Sequence, residues 1–198
     1  GENAISHNLL LCNKANLLNQ SAFQLGVPGS GKSFLSKEQI AFLILNTEDD
    51  VLICDPENEF GPLCQTLGRE AATVIHMAAG GKDRLNAMYM VEGYGEQNPI
   101  VEKSQFVMSL IEQIDRRGVG PQHKSIIDRC TALVYQEAER TGKPATLCDL
   151  REKLLEQPEE KAKDIALSLE LFTTGSLDIF GKESTVDLDK RIVVFDIH

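Results

Sequence analysis

The segment Gly26-Val27-Pro28-Gly29-Ser30-Gly31-Lys32-Ser33 satisfies every position of the pattern GxxxxGK[ST]. No other feature of the chain constrains its fold as strongly. Glycines at these positions let backbone N–H groups converge on an anion without obstruction by side chains, and a helix that follows points its positive dipole end at the same place. A lysine just before that helix reaches β- and γ-phosphates, and the next hydroxyl is placed to ligate Mg²⁺. Candidate ligand-binding residues are therefore Gly26, Pro28, Gly29, Ser30, Gly31, Lys32, Ser33 and Phe34, for ATP with Mg²⁺. Lys32 is also a candidate catalytic cation, and Ser33 a candidate metal ligand. The flanks agree with the motif. Ser21 to Leu25 is a short, partly apolar run, expected as a strand. Beyond the loop, Ile40, Leu43 and Ile44 keep the i, i+3, i+4 spacing of a helix face inside the apolar stretch Ile40 to Leu45. So continuous a run predicts a well-buried helix.

Val51 to Cys54, Ala72 to Met77 and Ile192 to Phe195 are further β-rich apolar runs. Strands alternating with helices predict an α/β fold with a mostly parallel sheet covered on both faces. Between the last two runs the period changes. Asn98 and Pro99 form a cap and first-turn pair, followed by the apolar face Phe106, Val107, Leu110, Ile111 and Ile114. Ile126, Ile127, Cys130, Leu133 and Val134 give a second face. Thr146 with Asp149 resembles a capping box ahead of Leu150, Leu154 and Leu155. Pro158, Glu159 and Glu160 open a fourth helix carrying Ile165, Ala166, Leu169 and Phe172, with Gly175 as its stop. The expected organisation is half of an α/β core over residues 1–97, an inserted all-helical subdomain over 98–175, and a return to the core over 176–198.

The second apolar run ends in Asp55-Pro56-Glu57-Asn58-Glu59-Phe60. Ligands of open α/β sheets sit outside the carboxyl ends of the strands. Asp55, Glu57 and Glu59 can then approach a γ-phosphate and its Mg²⁺, where a carboxylate orients or deprotonates the attacking water. Asp55 is a candidate metal ligand as well. The alternative is a strand end and a Pro turn whose acids stabilise a helix N-terminus. Both readings stay open at the level of sequence. If the turn is catalytic, Glu57 is the favoured acid because it lies nearer the strand end, with Glu59 facing elsewhere. The last run, Ile192 to Asp196, has the minimal form of a Walker B magnesium strand, but Ile197 stands where many ATPases have glutamate.

Bulk properties exclude several classes. The 198 residues are 42% hydrophobic and 25% charged, ordinary for a globular chain, and no window resembles a spanning helix. A net charge of −10 repels phosphate backbones and argues against nucleic-acid binding through overall charge. Cys12, Cys54, Cys64, Cys130 and Cys148 form no CxxC pair and are odd in number, which fits a reducing compartment better than a disulfide framework or a zinc site. His76 and His198 lie in or beside expected strands without partners at metal spacing.

Together these residues resemble the conjugal-transfer ATPases of type IV secretion systems, the VirB-four and TraC/TraE-like class in the HerA–FtsK group of RecA-like motors. The resemblance runs from the Asn8 to Asn19 lead-in through the phosphate loop and the Asp55 to Phe60 turn to Arg191-Ile192-Val193-Val194-Phe195-Asp196-Ile197. The loop alone is generic; the loop and the acidic turn at this separation are more specific. Two departures stand out. Asn86-Ala87 replaces an Asn-Pro common in the family. Family members also carry a strand ending in Asp-Glu further on, so the resemblance assigns Asp196 to the strand before it. The Walker B acid, the sensor residues and the arginine given to a neighbour are then expected beyond His198.

The resemblance implies a RecA-like P-loop core in a homo-oligomeric, hexameric ATPase. It would energise channel or pilus assembly, or substrate passage, in concert with other secretion-channel subunits. It would sit in the cytoplasm, peripheral to the inner face of the membrane and held there through partners. Rival readings are a DNA-translocating pump of the HerA or FtsK kind, a nucleotide-binding fragment without turnover, and, more distantly, a small-molecule kinase. Salt-dependent DNA binding separates the DNA pump from the secretion motor, and ATP binding without turnover marks the fragment reading.

Overall fold

A computed structural model describes residues 5–8, 16–91, 93–95, 98–114 and 118–197. Cys12, His198 and much of the Asn8 to Asn19 lead-in lie outside the described residues. Three five-residue strands form one parallel sheet: β1 Val51–Asp55, β2 Ala72–His76 and β3 Ile192–Asp196, in the spatial order β1-β3-β2. Their β-branched and apolar residues suit a sheet buried between layers. The register is level, with Ile192 beside both Val51 and Ala72 and Asp196 beside both Asp55 and His76. Three polar side chains thus end three adjacent strands at one rim.

Helices α1 (Lys32–Asn46) and α2 (Gly61–Leu67) cover one face of the sheet. Ile40, Ile44 and Phe60 pack there against Ile53, Cys64, Ala72, Ile192 and Val194. The period-2 alternation of β1 sends Val51 and Ile53 to that face and Leu52 and Cys54 to the other. Ile75 and Val193 are buried on the second face, but Leu52 is 73% exposed. The expected two-sided cover therefore stops short of β1.

Two other expectations are corrected here. Ser21 to Leu25 is not a strand: it joins no ladder among the described residues, and Phe23 and Leu25 are exposed. An apolar run becomes a strand only when another edge accepts its backbone, and Gln24 is bonded to α1 instead. Nor is α1 well buried. None of its residues is, and Phe34, Phe42 and Leu45 are exposed, because only the Ile40 and Ile44 stripe meets the sheet.

Residues 99–173 hold α3 (Pro99–Ile114), α4 (Pro121–Thr141), α5 (Leu147–Leu155), α6 (Glu160–Ser168) and α7 (Glu170–Thr173), and no strand among the described residues. Val107, Ile127, Cys130, Leu147, Leu150, Leu154, Ile165 and Leu169 pack into a second core together with Met88. Full burial of one such aliphatic side chain contributes about 1.5–3 kcal/mol. The Thr146 hydroxyl accepts from Asp149 N at 3.2 Å while Thr146 N donates to Asp149 Oδ2 at 2.9 Å, the reciprocal cap that the sequence predicts. The expected fourth helix is broken in two at Leu169. Arg151 Nε donates to the Ala166 carbonyl at 3.3 Å, the acceptor that a continuous helix would also use four residues later.

Candidate functional site

The phosphate loop is shaped by its glycines. Gly29 and Gly31 have φ of 76° and 85°, in the left-handed region that side chains disfavour. Gly26 has no such φ, and a Cβ there would meet the Ser30 side chain, whose hydroxyl would have to rotate away. Gly31 is the N-cap of α1 and offers no side-chain acceptor to the first turn, which also holds no acidic residue. Among the described residues, no protein acceptor takes a hydrogen bond from the amides of Gly31, Lys32, Ser33 or Phe34. An uncapped helix start with free amides and a lysine is the donor set that an oligophosphate fits. Lys32 Nζ turns back over the loop, donating to the Gly26 carbonyl at 2.9 Å and the Val27 carbonyl at 3.1 Å. Ser33 is half-buried beside it, and Pro28 and Phe34 are exposed on the loop's flanks.

Polar contacts fix the direction of α1. At its carboxyl end, Arg191 at the start of β3 donates to the carbonyls of Ile44 and Thr47. The helix therefore runs antiparallel to the strands, and its amino end lies toward the rim where they finish. Consistent with that, Lys37 Nζ stands 5.5 Å above the ring of Phe60, in the turn after β1.

That turn is organised by its first residue. Asp55 is 2% exposed, and its two carboxylate oxygens accept from Glu59 N at 3.1 Å and Phe60 N at 2.9 Å. Asn58 takes a φ of 50°, and Glu57 and Glu59 are both exposed. The segment is a closed turn rather than helix, so helical spacing does not decide which acid faces the loop. Asp55 holds the turn's shape while leaving lone pairs on each oxygen. The rim therefore places a carboxylate-bearing turn and a loop of free backbone donors at the same end of one sheet.

Several contributors gave little signal in sequence. Gln24 Nε2 donates to the Lys32 carbonyl at 2.8 Å and its Oε1 accepts from the Ser36 hydroxyl at 2.9 Å, tying the approach segment to the first turn of α1. A polar residue within the apolar run 21–25 was the only hint. His76 Nδ1 lies 2.8 Å from Asp196 Oδ2, joining residues 120 apart along the chain. With His76 on one side and Asp55 on the other, Asp196 sits in the middle of the rim. Among the described residues no group of three or more His, Cys, Asp or Glu forms a metal cluster, and Cys54, Cys64, Cys130 and Cys148 are free thiols. No described helix is long and apolar enough to cross a membrane.

Among solved structures, the chain is similar to VirB4 of Thermoanaerobacter pseudethanolicus, with a TM-score of 0.68 and 23% sequence identity over 87% of this chain and 48% of that one. At that identity the likeness is one of fold: a small parallel sheet with several helices, arranged as in that protein. The chain spans 48% of that protein's length, about half. No protein-family model matches the chain, and no curated protein does.

Proposed function

We propose that this chain is the ATP-binding part of a motor ATPase of the type IV secretion kind, with a RecA-like P-loop core and an inserted helical lobe over residues 98–175. One observation carries the reading: a complete phosphate-loop motif begins a helix with unpaired amides, at the rim where β1 delivers its acidic turn, in a chain with the fold of VirB4. In this reading the amides from Gly31 to Phe34 take the phosphate oxygens, and the Lys32 ammonium reaches the β/γ-phosphates. The Ser33 hydroxyl holds Mg²⁺, which supplies positive charge against the developing negative charge. Glu57 or Glu59 orients the attacking water, and Asp55 fixes the turn that presents them. Hydrolysis energises channel or pilus assembly, or substrate transfer, in a homo-oligomer acting with other secretion subunits at the inner face of the membrane.

Titration of the full-length protein with a fluorescent ATP analogue, with and without Mg²⁺, tests the binding step. Mg²⁺-dependent saturation that is lost in Lys32→Ala supports the reading, and equal affinity in both proteins removes it. Duplex DNA added to a hydrolysis assay separates the alternatives. Salt-sensitive stimulation of turnover would favour a DNA-translocating pump, whereas the net charge of −10 favours a motor that is indifferent to DNA.

A further inference from the structure

Arg191 stands at the end of the return from the helical lobe, immediately before β3. Its backbone carbonyl accepts from Val51 N at 2.7 Å, at the start of β1. Its guanidinium donates to three carbonyls: Ile44 in the last turn of α1 at 3.0 Å, the C-cap Thr47 at 2.6 Å, and Asp49 in the loop that follows at 3.0 Å. Arg191 Nε is buried without a partner. This is an unusual concentration of bonds for α1, a helix with no buried residue and only two apolar side chains against the sheet core. A cation at a helix carboxyl end also opposes the negative end of the dipole. Arg191 is thus the principal polar tie between the phosphate-loop helix and the sheet.

The same residue terminates the return segment 182–190, which is fixed at its other end to the entrance of the lobe. Thr185 N donates to the Arg84 carbonyl at 3.1 Å, and Arg84 N donates to the Thr185 hydroxyl at 2.9 Å. Asn86 N donates to the Ser184 hydroxyl at 2.9 Å. Asn86, 6% exposed, then donates through Nδ2 to the Ala145 carbonyl at 2.8 Å, at the threshold of α5. Bonds therefore tie α1 to Arg191 at one end of the return segment and tie Ser184 and Thr185 at its other end to Arg84 and Asn86, with the short backbone of residues 186–190, braced by the Lys190–Asp187 ion pair at 3.2 Å, between them.

We infer that Arg191 is a positioning residue coupling occupancy of the phosphate loop to the hinge of the helical lobe at residues 84–86 and 184–185. The inference rests on the proposed nucleotide site. Phosphates drawing the amino end of α1 toward them shift the helix along its axis. Arg191 passes the shift to the return segment, because its planar fork holds the last turn of α1, its C-cap and the loop after it at once. Lysine has a single compact ammonium and cannot reproduce that grip.

The test is amide hydrogen exchange in the full-length protein, with and without Mg²⁺ and a nonhydrolysable ATP analogue, read on peptides spanning residues 82–88 and 183–190. Analogue binding is titrated in parallel. The parent should show a change in exchange of about fivefold or more at both peptides, the lower end of ordinary coupling between sites. Arg191→Met should bind the analogue within about threefold of the parent yet lose the hinge response, a pattern general destabilisation does not produce. Arg191→Lys should fall between. Should Arg191→Met fail to fold, Arg191→Lys and the hinge variant Ser184→Ala/Thr185→Val carry the same comparison. A parent that binds the analogue without a hinge response overturns the inference alone, as does a full response in the Arg191 or hinge variants. A parent that binds no nucleotide overturns the proposed function and the inference with it.

Discussion

The ammonium of Lys32 lies 2.9 Å from the carbonyl oxygen of Gly26, six residues earlier and at the opposite end of its own loop. With the Val27 carbonyl at 3.1 Å, the loop gives this ammonium two acceptors of its own. Replacing Lys32 by Ala removes those internal bonds and, under the proposed function, the charge offered to the β/γ-phosphates. Loss of one such preorganised electrostatic group lowers turnover by roughly 10²–10³. The measurement is steady-state ATP hydrolysis by the full-length protein, and an unchanged rate in Lys32→Ala would overturn the assignment of the loop.

Glu57 and Glu59 differ in how tightly the turn holds them. The amide of Glu59 is bound by Asp55 Oδ1, whereas Glu57 lies on the outward part of the turn just before Asn58, whose φ is 50°. Glu57→Gln keeps the shape and polarity of the side chain but removes its charge. If Glu57 is the acid that orients water, kcat should fall far more than analogue binding weakens. Glu59→Gln should be the milder change. Parental hydrolysis rates in both variants would make the turn purely structural.

The short β-branched runs at Val51, Ala72 and Ile192 were legible because a parallel strand buried by its neighbours needs little beyond apolarity and a stop. The Thr146–Asp149 cap was equally legible, since its partners are three residues apart. Contacts between distant segments left no periodic trace. Nothing near Arg191 announces that it bonds Ile44, 147 residues away, or near His76 that it meets Asp196. Apolarity also misled twice. The run Ser21 to Leu25 lacks a strand edge to join, and the stretch Ile40 to Leu45 offers more apolar surface than the sheet covers. The break at Leu169 left no signal in the sequence either, and the Arg151 bond to the Ala166 carbonyl beside it comes from another helix.

Asp55 spends one oxygen on each of two backbone amides while 2% exposed. Asp55→Asn leaves a single acceptor and places an amide donor opposite a backbone N–H. An unsatisfied polar group in so closed a setting costs about 1–3 kcal/mol. Urea unfolding should show a lower midpoint with an unchanged slope, because the surface exposed on unfolding is the same. A midpoint equal to the parent's would mean that the turn is held by other contacts.

Lys103 offers a prediction whose sign follows from linkage. Its side chain is 6% exposed on α3, with Nζ 3.1 Å from the Ala87 carbonyl and lying 4.7 Å and 5.1 Å from the ring centroids of Tyr94 and Phe106. Burial disfavours the charged form and lowers its pKa from the ordinary 10.5. Below the lowered value the lysine is charged in both folded and unfolded chains, and the folded state bears the full cost of desolvation. Between that value and 10.5 the unfolded chain binds more protons than the folded one, so the stability contributed at this site rises with pH. Above 10.5 both forms are neutral and the cost is gone. Lys103→Met lacks the titration but leaves the Ala87 carbonyl without its donor at every pH, an offset that does not affect the slope. The unfolding free energy of the parent minus that of Lys103→Met should therefore climb as pH rises from 7 toward 10.5, measured by paired urea titrations. A flat difference would mean that the ammonium is as well solvated by the carbonyl and the two rings as it is by water.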